Sequence, residues 1–166
     1  MREKRLFVDM DGTIAVFDKG APLERIQKEG YFKNRPLMNN VIEAIKLIVN
    51  KGTVEVFILS SVFEDNHSIA DKNYWLNNNL PEIDEKHRIF NPISKNKTES
   101  IKGKITSEDY LLDDFSFNLH RWTGTGIKVL NGINGSHKTW KGLCIDASWD
   151  KEDIASILLK YMEVAA

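Results

Sequence analysis

The 166-residue chain predicts an α/β fold in which a mostly parallel, five-stranded sheet lies between two layers of helices. Three observations carry this expectation. Short, continuous apolar runs have the length and character of strands buried on both faces. Longer segments with helical periodicity alternate with them. No repeat, low-complexity tract or linker interrupts the alternation, and at 42% hydrophobic and 28% charged residues the composition is that of a chain able to bury one core.

The first strand is "RLFVD", beginning at Arg5. "MNNVIEAIKLIVNKG" follows as a helix, with Val41, Ile42, Ile45, Ile48 and Val49 on one face and Gly52 placed to cap its end. "VEVFILS" is the second strand, and "DNHSIADKNYWLNNNL" the next helix, with Ile69, Asn73 and Leu76 aligned and Pro81 closing it. "HRIFNP" reads as a weaker third strand, "DYLLDD" as the fourth, and "GIKVLNG" as a fifth that stops at an Asn-Gly turn. "DKEDIASILLKYMEV" is a terminal amphipathic helix with acids in its first turn, as the helix dipole favours. Together these elements make a Rossmann-like three-layer sandwich, expected to occupy residues 1–166 as a single domain.

Several function classes are set aside by composition. A net charge of −1 provides no extended surface for nucleic acid. The apolar runs are too short to span a bilayer, and "MREKRLFVDMDGT" lacks the apolar core of a signal peptide, so a cytoplasmic location is expected. A single cysteine, Cys144, can build neither an internal disulfide nor a cysteine metal site, and is expected to be buried and inert. His67, His87, His120 and His137 have no ligand spacing. Trp75, Trp122, Trp140 and Trp149 are expected to pack rather than stack on a ligand. Oligomer formation is left open.

In parallel sheets the ligand site lies beyond the carboxyl ends of the strands, so what each strand ends with matters. The first ends in Asp9 with Asp11 just beyond, the second in Ser60 and Ser61, and the fourth in Asp113 and Asp114. Lys95 and Lys97 lie between the third and fourth. If the chain stays extended past Asp9, both Asp9 and Asp11 face one spot, and Gly12 lets the backbone turn sharply. Asp113 and Asp114 point to opposite sides at first order, so one should face the site and the other support it. Each carboxylate pair at about 5 Å costs roughly 3 kcal/mol at an effective dielectric of 20. Something must neutralise such a cluster, and an all-oxygen donor set suits a hard cation, most simply Mg²⁺. A carboxylate-bound Mg²⁺ commonly works with a phosphate. Ser60, with Ser61 beside it, could donate a hydrogen bond to a phosphoryl oxygen or merely cap the next helix. A lysine could supply charge to the anion, Asp9 could be a nucleophile, and Asp11 could move the proton.

"DMDGT" after an apolar strand resembles the first motif of the haloacid dehalogenase (HAD) superfamily. "FILSS" resembles the second, Lys97 in "KNKTESI" the third and "YLLDD" the fourth. Asp11 at the second acidic position implies phosphomonoester hydrolysis, since dehalogenases lack it and transport ATPases carry threonine there. "EGYFKNRPLMNNVIEAIK" and "DYLLDDFSFNLHRW…GIKVLNGINGS" are similar to the 5′(3′)-deoxyribonucleotidases, in particular their small bacterial and phage relatives. The resemblance implies Asp9 as nucleophile and Asp11 as acid/base. It implies Mg²⁺ on Asp9, on the main-chain oxygen of Asp11 and on one of Asp113 and Asp114, with Asp114 favoured. It implies phosphate on Ser60 and Lys97, with Lys72 and Lys95 as competitors for the lysine, and Phe17 near the nucleobase. The substrate implied is a small phosphomonoester, first a deoxyribonucleoside monophosphate. Sugar phosphates and phosphorylated nucleic-acid or protein ends are the alternatives within this chemistry, and a nucleotide-binding regulatory protein with little turnover is the one outside it. The larger family members have a long helical cap. Here "IAVFDKGAPLERIQKE" leaves a minimal one, a short flap or cap insertion at about residues 13–35.

Overall fold

The computed structural model describes residues 4–65, 67–133 and 139–164. Among the described residues six strands form one sheet: β1 (Arg5–Val8), β2 (Glu55–Val62), β3 (Arg88–Pro92), β4 (Asp109–Asp113), β5 (Thr125–Leu130) and β6 (Leu143–Asp146). Their order is β3-β2-β1-β4-β5-β6, and every neighbouring pair is parallel. The expected five strands are therefore six. The extra one, "LCID", is a four-residue edge strand paired, among the described residues, with β5. It is too short to stand out as an apolar run, and its pairing with β5 rather than local pattern makes it a strand. On this edge Cys144 is half-buried, not buried as expected.

β1 lies between β2 and β4, where the direction of strand progression reverses, the position at which such sheets open a crevice. Register then sets the site. Val8 pairs with Ile58 on one side and Leu112 on the other, so Asp9 and Asp113 fall level one step later.

Period-two alternation divides the core into two layers. Leu6, Val8, Ile58 and Leu112 face α2 (Asn39–Lys51), α3 (Ser68–Asn79) and α5 (Lys151–Tyr161), while Phe7, Leu59 and Leu111 face the other way. There they meet Leu119 of α4 (Ser116–Arg121), Ile101 and Trp122. Gly52 ends α2 in the left-handed conformation at φ +67°, as its position in the sequence suggests. The α3 face differs from expectation. Ile69 is exposed, and the buried side is Ser68, Asp71, Lys72, Trp75 and Leu76. Two charged residues take positions that apolar periodicity would give to others because each has partners waiting for it.

Residues 13–35 contain the four-residue helix α1 (Leu23–Ile26), which buries nothing, and a 3₁₀ turn at Phe32–Asn34 with Phe32 buried. α3 holds this segment down. Asp71 accepts a hydrogen bond from the Gly30 amide at 2.6 Å, and the Trp75 indole donates to the Arg35 carbonyl at 2.7 Å. No described helix is long and apolar enough to cross a membrane.

Trp75→Phe removes that donor together with part of the buried indole, leaving the Arg35 carbonyl short of a partner and a small cavity. It should lower unfolding free energy by about 2–4 kcal/mol in urea titrations. Wild-type stability in the variant would mean that the bond does not hold the segment.

Candidate active site

Asp9 continues the sheet for one residue, its amide donating to the Leu112 carbonyl at 2.9 Å. The chain then curls instead of staying extended. The Met10 carbonyl accepts from Thr13, Ile14 and Ala15, and the Gly12 amide donates to the Ala15 carbonyl at 2.7 Å. Turning back so soon satisfies these amides locally and buries Ile14 and Ala15. Gly12 has φ +82°, and a Cβ there would sit 2.2 Å from an Asp114 carboxylate oxygen. Both the conformation and the space require glycine.

Asp9 and Asp11 open onto a cleft of about 340 Å³, lined also by Phe17, Ser61, Lys97 and Asp114. Asp9, Asp113 and Asp114 are buried, with one carboxylate oxygen of each within 4.8 Å of the others. Asp113 lies behind the cleft and is fully enclosed. It accepts from Lys97 Nζ at 2.7 Å, from the Phe115 amide at 2.8 Å and from Asn118 Nδ2 at 2.9 Å. Asp114 stands at the wall, with one oxygen accepting from Asn131 Nδ2 at 3.0 Å. One late aspartate thus fronts the cleft and the other backs it, as alternation suggests.

The lysines separate cleanly. Lys97 is 4% exposed, and its ammonium bridges Asp9 at 2.6 Å and Asp113 at 2.7 Å. Lys72 is fully buried and donates to the Asp11 carboxylate, to Ser60 Oγ at 2.8 Å and to the Ser61 carbonyl at 2.7 Å. The Phe32 ring lies 4.4 Å from that ammonium. Lys95 lines the cleft from an exposed position. Ser60 is fully buried on Lys72, whereas Ser61 reaches the cleft wall. The Asp11 side chain belongs to the Lys72 group and is outside the three-carboxylate cluster.

Besides Asn118, two further residues join the site without having been singled out from the sequence. Asn131 donates to the Gly12 carbonyl at 2.7 Å as well as to Asp114, tying the first turn to the fourth strand's end. Lys128 donates to the Asp114 carbonyl at 2.5 Å. Each had a faint signal: a lysine inside the buried run "GIKVL", and a polar residue at the end of a strand. Asn131 precedes residues 134–138, which lie outside the described residues and include His137 and Lys138.

Charge in the cluster is unbalanced. Burial, opposed by Lys97 and reinforced by Asp113 and Asp11, raises Asp9 from 3.8 to about 7. Burial, then repulsion from Asp113 and Asp9, raises Asp114 from 3.8 to about 8. Burial alone would lower Lys97, but Asp113 and Asp9 outweigh it and keep its ammonium charged above the ordinary lysine range. Lys97 is the ammonium that bonds these carboxylates directly, bridging Asp9 and Asp113, while Lys128 donates to the Asp114 carbonyl. An all-oxygen donor set with this excess of negative charge fits a hard divalent cation.

A folded-state pKa raised on a carboxylate means stability that is full below pH 4 and is lost as pH rises through the folded value. In chelator, the melting temperature should therefore fall by several degrees between about pH 4 and pH 8, the window from the ordinary 3.8 to the 7 and 8 of Asp9 and Asp114. Saturating divalent cation should remove most of that fall. Identical pH profiles with and without cation would contradict the charge assignment. Gly12→Ala should abolish the cation effect by pushing Asp114 aside.

A family model described as "5' nucleotidase, deoxy (Pyrimidine), cytosolic type C protein" matches residues 22–160. Proteins of Staphylococcus aureus strains Mu50 and MRSA252, each named "Putative 5'(3')-deoxyribonucleotidase", are 27% identical over 144 residues, covering 83% of this chain and 69% of theirs. The family match starts after Asp9 and Asp11; the pairing of β1 with β4 joins Asp9 to the matched part, and Lys72 joins Asp11 to it. The match nonetheless spans the second, third and fourth strand ends that complete the cluster, and on it the chain belongs to this 5′ nucleotidase family and is a phosphoric monoester hydrolase.

Proposed function

We propose that the chain is a Mg²⁺-dependent 5′(3′)-deoxyribonucleotidase working through an aspartyl-phosphate on Asp9. The observation that supports this most is the setting of Asp9. It opens onto the cleft while Lys97 holds one of its carboxylate oxygens at 2.6 Å. That leaves the other oxygen to attack phosphorus. Asp9, the main-chain oxygen of Asp11 and Asp114 would hold the cation, with Asp113, occupied by Lys97, the Phe115 amide and Asn118, backing them. When bound, Mg²⁺ supplies positive charge that the transferring phosphoryl group needs.

The chain's own residues do the rest. The Asp9 carboxylate oxygen forms a bond to phosphorus as the bond to the ester oxygen breaks. Asp11 gives that leaving oxygen its proton and then, as carboxylate, takes a proton from the water that releases phosphate. Lys72 fixes the Asp11 side chain on the cleft side of the first turn. Lys97 is the lysine of the phosphate site, already placed against the nucleophile, and Ser61 is the serine that reaches the cleft, with Ser60 holding Lys72 behind it. Residues 13–35 act as a short flap, with Phe17 on the cleft wall.

The test is phosphate release from deoxy- and ribonucleoside monophosphates, a sugar phosphate and a generic aryl phosphate, with Mg²⁺ and with chelator. Selective turnover of deoxynucleotides, lost in chelator, is expected. Asp9→Asn should lower kcat at least 10³-fold while circular dichroism and melting stay near wild type. Turnover of the aryl phosphate alone would keep the chemistry and discard the substrate. A folded wild-type protein that binds Mg²⁺ and nucleotide but releases no phosphate would replace the hydrolase reading with a binding protein.

A further inference from the structure

Beyond the fourth strand the chain places two aromatic rings at the cleft mouth. Phe115 and Phe117 both line the cleft, and they are 49% and 48% exposed. Their centroids are 5.8 Å apart and their planes 25° from parallel, so they form a stacked pair. The Arg121 guanidinium lies 3.4 Å from the Phe117 centroid and orders that ring further. Half-exposed phenyl rings pinned in this way are costly to leave in water unless something covers them.

Their position is fixed to the carboxylate cluster itself. The Phe115 amide donates to one Asp113 oxygen at 2.8 Å, and Asn118 donates to the other at 2.9 Å. Asp113 in turn holds Lys97. A phosphate placed at Asp9 and Lys97 therefore has an aromatic surface at a set distance, within the same cleft and not across a hinge. Ile93 adds an apolar side chain to the same lining.

We propose that Phe115, backed by Phe117, is the surface on which the substrate's nucleobase stacks, so that the segment following β4 carries recognition of the base. This rests on the reading of the cleft as a nucleotide site. A base tethered through its sugar to the phosphate is the occupant that the geometry favours. It presents a flat π-face to flat rings, and its polar end is the anion that Lys97 awaits. The cleft, about 340 Å³, falls within the size range of small-molecule pockets. The short flap makes this placement sensible, because α1 contributes no buried side chain with which to enclose a base.

The test is equilibrium binding of thymidine 5′-monophosphate and 2-deoxyribose 5-phosphate to Mg²⁺-saturated protein carrying Asp9→Asn to prevent turnover. Without further change, the nucleotide should bind about ten- to a hundredfold more tightly than the sugar phosphate. Phe115→Ala and Phe117→Ala should each close most of that gap by weakening the nucleotide. Equal binding of the two ligands at the start, or a gap that survives both substitutions, would overturn the proposal. So would variants that weaken both ligands alike, since that marks support of the phosphate site through Asp113. Loss of a dimer on Phe117→Ala in sedimentation, with the gap intact, would assign the rings to a second copy of the chain instead. Failure of wild-type hydrolysis with the gap present would sink the hydrolase reading and leave this one standing.

Discussion

Lys97 reaches Asp9 at 2.6 Å and Asp113 at 2.7 Å in a space almost closed to water, and Asp114 completes the group within 4.8 Å. Much of the surrounding structure follows from keeping these charges together. Removing Lys97 would strand two buried carboxylates at once, which is strongly unfavourable, whereas neutralising Asp9 leaves Lys97 paired with Asp113. The cluster also accounts for backbone features that would otherwise look arbitrary. Gly12 takes a left-handed conformation so that Asp114 can approach the first turn, and Asn131 bonds both the Gly12 carbonyl and Asp114 to hold that approach.

A second group of charges lies beside the first. Lys72 projects from α3 onto Asp11, Ser60 and the Ser61 carbonyl, while Asp71, its neighbour in sequence, accepts from Gly30 in the flap. One helix therefore positions a side chain at the cleft and fastens the segment beside it. Asp113 plays a similar double part on the other side, backing the cluster while anchoring the start of α4. In both cases adjacent functions are coupled through buried polar residues bonded to specific partners, which fixes geometry more tightly than apolar packing alone.

The strand ends were the most legible part of the sequence. Apolar runs finishing in Asp9, Ser60 and Asp113 can be read from local pattern because parallel strands buried on both faces show no alternation to confuse the reading. Lys97 could be singled out by its motif, but that its ammonium bridges Asp9 and Asp113 depends on a 3₁₀ turn that only the fold supplies. β6 was invisible because four residues at an edge owe their conformation to β5. The buried face of α3 was misjudged because Asp71 and Lys72 look like surface residues until their partners, 41 and 61 positions away in the chain, are brought beside them. Asn131 read as one half of an Asn-Gly turn, and its role as a clamp rests on a contact 119 residues distant. The chain does not take the extended path past Asp9 for a local reason: the Met10 carbonyl accepts from three later amides only if the chain curls.

The central claim is that this arrangement serves covalent transfer of phosphate to Asp9. Rapid acid quench of turnover with a phosphate-labelled deoxynucleotide, followed by peptide mapping, tests it most directly. The account predicts protein-bound label that is released by hydroxylamine, lies on the peptide containing Asp9 and requires Mg²⁺. Steady turnover that leaves no label on the protein while chemistry precedes release, or label on another residue, would contradict it.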